Sequence, residues 1–360
     1  MSDRHRVLAL VTDAWGGSGG IAQYNRDFLT ALARAPGAAS IDVLPRFGRD
    51  AAPLASGIRQ QSPRRGRIAY AFRALWLALS RRPGVIVCGH LFMAPLALLL
   101  ARLTGAKLVI QTHGIEIWRT PTRLQRAALE RAELVLSVSR FTRAQVLTRT
   151  CARPERVVVI PNTVGEVFVP GDGSEVRRRL GLAGRKMLLS LSRLDARERY
   201  KGQDRIIPLI RPLVENGHDA VFVVVGEGDD RPRLESLAHE HEVADRVIFL
   251  GAVRDEDRTA LYRAADLYVM PSTGEGFGIS FLEAMACGAP AVGLNAGGAP
   301  DALCGGELGA ACAENQLLPT IESALRKPLI KGRSLAQRVT ARFGPDAFRT
   351  RVEQVVEAFL

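Results

Sequence analysis

The sequence predicts an α/β protein of two doubly wound domains, each a parallel sheet covered by helices. Three observations carry this reading. Short apolar runs rich in Val, Ile and Leu alternate with longer stretches of helical periodicity along the whole chain. The alternation stops over residues 163–174, a segment rich in Gly and holding Pro170, and then restarts. At 360 residues the chain is large for a single core, so two domains are the natural expectation. The expected domains are residues 1–165 and 175–344.

In the first half, strands are expected at 7–11, 41–44, 85–88, 108–111, 134–138 and 157–160. Helical patterns fall near 21–34, 66–80, 92–103, 121–131 and 140–149. In the second half, strands are expected near 187–192, 220–225, 246–250, 267–270 and 290–293. Helices are expected there near 203–215, 230–241, 256–264, 279–286 and 315–326, with a last helix within 345–360. The helix over 279–286 has a local justification: Ser280 to Ala286 is apolar and helix-compatible, and Gly288 then Pro290 stop it. Ligands of such sheets bind beyond the carboxyl ends of the strands, which places the expected site in the cleft between the domains.

Hydrophobic content of 47% is ordinary for a globular protein. The five cysteines show no C-x2-C spacing and most lie in apolar stretches, so reduced, buried thiols of a cytoplasmic protein are expected. The first apolar run is short and broken by Asp13, unlike a signal peptide, and the best candidate span, 91–101, is too short to cross a bilayer. Residues 1–165 carry 24 Lys and Arg against 9 Asp and Glu, a balance of +15; residues 166–360 carry 25 against 28, a balance of −3. The densest basic segment, 64–82, places Ile68, Phe72, Leu75, Trp76 and Leu79 on one helical face with arginines at both ends. The apolar stripe is expected to pack on the first sheet while the arginines meet an anionic membrane surface. Nucleic acid is not expected, since no aromatic-interleaved or zinc motif accompanies the basic charge.

The most specific chemistry lies in Glu275-Gly-Phe-Gly-Ile-Ser-Phe-Leu-Glu283, where two carboxylates stand eight positions apart. Gly276 and Gly278 leave the backbone open, so amide groups near Phe277 and Ile279 and the positive helix end can face an anion. Ionised carboxylates accept hydrogen bonds from sugar diols. One carboxylate in the loop and one within the helix suit two sets of hydroxyls with phosphates between them, the layout of a nucleotide sugar. Upstream, Arg193 ends the strand near 187–192 and Lys201-Gly202 follows a polar loop, a fork of donors and a point charge that complement each other around a diphosphate.

With these motifs the chain resembles retaining glycosyltransferases of family 4, which have the GT-B fold of two Rossmann-like domains facing across a cleft. Further matches are Gly16-Gly17-Ser-Gly19-Gly20, His113 in "THGIE", "IPN" at 160–162, "VGEGD" at 225–229 and "NAGGAPD" at 295–301. Thr163 and Gly165 depart from the family, which usually has Gly and Asp there. The resemblance implies that Glu275 contacts the donor sugar, Glu283 the ribose, and Arg193 and Lys201 the diphosphate. It further implies a role for His113 near the sugar and a last helix that returns to the first domain. The Gly17, Gly19 and Gly20 amides would approach the donor phosphate or the acceptor, and backbone near Gly226 and Val253 would choose the base. Asp13 and Glu116 are candidate acceptor contacts.

Positive charge at the departing nucleotide is what catalysis requires, and Arg193, Lys201 and the amides supply it without a divalent ion or cofactor. The expectation is therefore a metal-independent, retaining hexosyltransferase, with mannose favoured and GDP-mannose ahead of UDP-sugars. Its acceptor would be a glycolipid or lipid-linked saccharide of surface-polysaccharide assembly, met at the inner face of the plasma membrane. Rivals are a nucleotide-sugar epimerase of the same fold and a catalytically idle nucleotide-sugar-binding partner subunit. Gly17-Ser-Gly19-Gly-Ile-Ala22, with Asp42 twenty residues on, also fits a dinucleotide fingerprint, but 12–16 separates it from the strand and Asp42 lies early in its own strand. Asp255-Glu-Asp257 looks like a metal-binding D-x-D, yet it opens a helix, where acidic residues need no metal.

Overall fold

The computed structural model describes residues 5–17, 19–48, 56–328, 330–357 and 359, so Ser18 of the Gly-rich loop lies outside the described residues. The chain forms two compact units, Met1–Thr163 with Pro345–Leu360, and Val164–Gly344.

The first unit holds seven strands: β1 (His5–Val11), β2 (Ala38–Pro45), β3 (Ile58–Gln60), β4 (Val85–Cys88), β5 (Lys107–Thr112), β6 (Leu134–Ser137) and β7 (Val157–Val159). They pair in parallel in the order β3-β2-β1-β4-β5-β6-β7. All four residues of β4 are buried, as befits a strand covered on both faces. The order reverses between β1 and β4, the point at whose carboxyl edge such sheets bind their ligands. Asp13 to Gly20 follows β1, Gly89 and His90 follow β4, and His113 follows β5.

The second unit holds β8 (Lys186–Leu191), β9 (Ala220–Val225), β10 (Val247–Gly251), β11 (Leu267–Met270), β12 (Ala291–Leu294) and β13 (Ala310–Cys312). These also run parallel, in the order β10-β9-β8-β11-β12-β13. The reversal lies between β8 and β11. Arg193 and Lys201 follow β8 and Glu275 follows β11, so topology brings together Lys201 and Glu275 from loops 74 residues apart in sequence.

Several elements depart from the sequence reading. The short strands β3 and β13 and the helix Gly332–Phe343 are additional. The expected helix over 203–215 is broken into Gln203–Ile206, a tight turn Ile207–Leu209, and Ile210–Glu215, with Pro208 at the break, where it has no N–H to give the helical ladder. The last helix, Pro345–Val356, belongs to the first unit: Phe348 meets the Tyr24 ring edge-on at 5.8 Å, and Val352 and Val356 are buried.

The basic helix corrects an expectation. Helix Arg67–Arg81 buries Tyr70, Ala74, Leu77 and Ala78, whereas Ile68, Phe72, Trp76 and Leu79 face away from the core at 74%, 68%, 51% and 54% exposure. Of the stripe expected to pack on the sheet only Leu75 does so, partly buried against the core, and the other four residues form the outer face. Of the five cysteines, all free, Cys88, Cys287 and Cys312 are buried, but Cys151 is exposed and Cys304 half-buried. Asp42 is buried on β2 and pairs with Arg59 at 3.4 Å.

Candidate active site

The second unit gathers Lys201 and Glu275. Thr273 donates its amide to the Tyr200 carbonyl (2.9 Å), which ties the loop after β11 to the loop after β8. The Lys201 ammonium then lies 2.6 Å from a Glu275 carboxylate oxygen, with 18% and 9% of the two side chains exposed. A buried pair of this kind holds one cation and one anion side by side with little water between them. Arg193 goes elsewhere: it pairs with Glu198, and its own side chain is 75% exposed while that of Glu198 is 11% exposed. The loop's other arginines are engaged locally, Arg197 with Asp195 (2.7 Å) and Arg199 with Asp230 (2.8 Å). All three arginines thus have a carboxylate partner, and each is itself more than half exposed.

The glycines around Glu275 explain two of the sequence motifs. Gly298 donates its amide to the Glu275 carbonyl (2.8 Å), and a Cβ on Gly298 would run into the Gly276 carbonyl. "NAGGAPD" is therefore the floor on which the Glu275 loop rests. Gly226 donates to the Gly251 carbonyl (2.9 Å), and a Cβ there would collide with the Ser192 carbonyl, so "VGEGD" packs directly behind Arg193. Phe277 is buried edge-on to Phe343 at 5.7 Å. Val253 is half-buried in the loop before helix Asp255–Ala264.

Gly278 begins helix Ile279–Ala286 without any side-chain cap, which leaves the positive end of the helix beside the Glu275 loop. Glu283, one turn inside that helix, is buried; the Tyr262 hydroxyl donates to it at 2.8 Å and Arg258 lies 3.6 Å from its other oxygen. Burial raises the Glu283 pKa, while Arg258 and the Tyr262 hydroxyl pull it back down. Asp255 and Asp257 lie in the first turn of helix Asp255–Ala264, paired with Arg258 (3.4 Å) and Arg254 (2.9 Å).

In the first unit, Gly17 packs so closely on Asp13 that a Cβ would land within its carboxylate. Asn25 donates to the Asp13 carbonyl (2.8 Å), and Arg26 donates to the carbonyls of Ala14 (2.8 Å) and Gly17 (3.0 Å). Helix Gly20–Arg34 thus holds its own leading loop, and Gly19 begins it with no side-chain cap. Burial raises the Asp13 pKa against the Ala14 amide and Arg26. His113 directs Nε2 at the Gly89 carbonyl at 3.0 Å, which requires the proton on Nε2 and leaves Nδ1 as the acceptor. Its backbone amide donates to Glu116, and its ring meets Tyr24 edge-on at 5.2 Å. Burial lowers the His113 pKa and so favours the neutral imidazole, against the pull of Glu116.

The sequence reading did not name Glu198, Tyr262, Arg258 or His90. His90 stacks 6.4 Å from His113, and the other three hold Arg193 and Glu283 in place. The His90 signal was present in "CGH" directly after β4. The partners of Glu283 carried none, since they lie on a different helix.

Comparison with known proteins fits this geometry. Residues 173–341 match the family described as glycosyl transferases group 1, and residues 18–165 match Glycosyltransferase Family 4. A GDP-mannose-dependent alpha-(1-6)-phosphatidylinositol monomannoside mannosyltransferase of Mycolicibacterium smegmatis is 34% identical over 232 residues, 60% of this chain and 60% of its own length. A D-inositol 3-phosphate glycosyltransferase of a Mycobacterium species is 32% identical over 192 residues, 52% of this chain and 42% of its own. The matches thus span about three-fifths or less of these relatives' lengths. Among solved structures, Anabaena HepE in complex with UDP has a TM-score of 0.75 at 22% identity, covering 98% of this chain and 100% of that one. Sucrose-phosphate synthase of Thermosynechococcus elongatus has a TM-score of 0.76 at 21% identity, covering 98% of each chain. These likenesses give the fold, the two family matches together run through both units, and the chain belongs to the group 1 glycosyltransferases of the GT-B fold.

Proposed function

We propose that this chain is a retaining hexosyltransferase that moves mannose from GDP-mannose to a glycolipid or lipid-linked saccharide. The observation that carries the reading is the buried Lys201–Glu275 pair, because a nucleotide sugar needs a cation for its diphosphate and an anion for its sugar hydroxyls at adjacent points. Donor binding divides the pair's duties: Lys201 turns to a phosphate oxygen and Glu275 accepts from the hexose. The exposed Arg193 fork joins Lys201 on the diphosphate, and Glu283, held by Tyr262 and Arg258, takes the ribose diol. The amides near Phe277 and Ile279 complete the phosphate seat.

Cleavage of the sugar–phosphate bond sends its electron pair to the nucleotide. Lys201, Arg193 and the helix end stabilise that charge as it develops, so this reading requires no divalent ion. The acceptor hydroxyl forms the new bond to the anomeric carbon on the face the nucleotide leaves and passes its proton to the departing phosphate oxygen there, which retains configuration. In the first unit, His113 presents neutral Nδ1 to the sugar, the Gly17–Gly20 loop lines the phosphate or the acceptor, and Asp13 and Glu116 orient acceptor hydroxyls. The second unit is thus the donor domain and the first the acceptor domain. Mannose, GDP and a lipid-borne acceptor are favoured by the relative that uses GDP-mannose and a phosphatidylinositol mannoside. The place of action in this reading is the inner face of the plasma membrane, reached through the basic first unit; among the described residues no helix is long and apolar enough to cross it.

A thermal-shift series with GDP-, UDP- and ADP-sugars, the free nucleotides and NAD(P) tests the donor assignment. A ligand at about a hundred times its Kd adds ~2.7 kcal/mol to the folded state, a rise of several degrees. GDP compounds are expected to produce this rise in the wild type and to lose most of it in Arg193→Ala, a site that is 75% exposed and outside the buried pair. A rise with UDP compounds alone would replace the base, and a rise with NAD(P) alone would overturn the reading.

A further inference from the structure

Helix Arg67–Arg81 is apolar on two opposite sides, and its packing uses only one. Tyr70, Ala74, Leu77 and Ala78 face the core, where the Tyr70 hydroxyl donates to the Leu44 carbonyl at 2.9 Å. Ile68, Phe72, Trp76 and Leu79 recur at four- and three-residue steps on the opposite side and are all more than half exposed. The neighbouring helix Ala94–Thr104, which packs against it, adds Leu99 and Leu103 at 53% and 56% exposure. Single exposed apolar residues need no explanation, but six large ones on two adjoining helices do.

The charge around them selects the occupant. Residues 51–115 hold nine Lys and Arg and not one Asp or Glu. Arg64, Arg65 and Arg67 are exposed at the leading end of the first helix, and Arg82 and Arg102 near the trailing ends of the two. Arg73 lies over the Trp76 ring at 4.3 Å, a cation laid against the stripe itself. A second copy of the chain on this face would set these cations against their own kind. A surface with an apolar interior and an anionic rim matches both parts, and a bilayer containing acidic phospholipid is such a surface.

We propose that helices Arg67–Arg81 and Ala94–Thr104 dock the first unit onto an anionic lipid bilayer by inserting Ile68, Phe72, Trp76 and Leu79 into the acyl boundary. The arginines at the helix ends then rest on headgroup phosphates. An arginine-only contact would vanish in high salt; insertion leaves a salt-resistant part. The biological sense of this docking rests on the reading of a lipid-borne acceptor, but the physical claim needs neither donor nor acceptor.

Flotation of the full chain with phosphatidylcholine vesicles, alone or mixed with phosphatidylglycerol, at low and high salt, tests the proposal. Binding to the mixed vesicles is expected, with a fraction surviving high salt. The double variant Phe72→Ser with Trp76→Ser, whose sites are exposed, is expected to keep its Tm and lose at least ~10-fold in partitioning. The triple variant Arg64→Gln, Arg65→Gln, Arg67→Gln should retain the salt-resistant part and lose most of the rest. Equal wild-type binding to both vesicle types, or unchanged binding of the double variant, would overturn the proposal. So would a wild-type dimer that the double variant converts to monomer without any vesicle binding. Vesicle binding without sugar transfer from any donor would sink the transferase reading and leave the docking; transfer to a water-soluble acceptor without vesicle binding would do the reverse.

Discussion

Glu275→Gln is expected to lower kcat by ~10²-fold or more while the Tm of the unliganded protein falls less than in an alanine variant. Glutamine fills the same volume and still offers Lys201 an oxygen where the carboxylate lies 2.6 Å away. What it loses is the negative charge that holds donor hydroxyls and balances Lys201 during departure of the nucleotide. Alanine would be the poorer experiment, since it strands a Lys201 side chain that is only 18% exposed. Removing one partner of a buried pair costs about 3–5 kcal/mol, which would mix instability with lost chemistry. Steady-state nucleotide release, with Tm on the same preparation, separates the two. A glutamine variant that turns over like the wild type would remove Glu275 from the reaction.

Gly298→Ala is the second large effect. The added methyl points into the Gly276 carbonyl, which is backbone and cannot swing aside as a side chain would. The Glu275 loop must lift, breaking the 2.8 Å bond from the Gly298 amide to the Glu275 carbonyl. A destabilisation of about 1–3 kcal/mol is expected, and with it a nucleotide affinity reduced by at least ~10-fold, because the Phe277 amide is displaced from the proposed phosphate seat. Calorimetric unfolding and nucleotide titration check the two halves. Unchanged affinity would mean that the loop's position does not matter to the donor.

The sequence located what depends on sharply bounded apolar runs. Strands β4, β9 and β11 and helices Arg140–Arg149 and Ile279–Ala286 fall at the residues expected, since polar or glycine neighbours end each run abruptly. Strands β3 and β13 were beyond this reasoning because Ile58-Arg-Gln and Ala310-Ala-Cys hold no run of β-branched residues, unlike the equally short Val157-Val-Val of β7. The helix Arg67–Arg81 misled it for a different reason. Both sides are apolar, and amphipathic reasoning assigns the larger residues to the core; here Ala74 and Ala78 allow close approach to the core while Phe72 and Trp76 point outward.

The candidate site was legible in the same uneven way. Arg193, Lys201, Glu275 and Glu283 could be picked out because each stands in a motif with local spacing. That Lys201 would meet Glu275, while Arg193 turns to Glu198, depends on which strands lie beside each other, and strand order is not written in any one segment. Tyr262 and Arg258 reach Glu283 from another helix, so only the packed structure shows that this carboxylate is oriented from outside its own element.

The measurement that bears most directly on the central claim is transfer of labelled hexose from GDP-mannose, and from a panel of UDP- and ADP-sugars, into a bacterial membrane lipid extract, with and without chelator. The account predicts a labelled glycolipid from GDP-mannose, formed equally well with chelator present. Absence of labelled lipid from every donor, with the protein folded and nucleotide-bound, would contradict it.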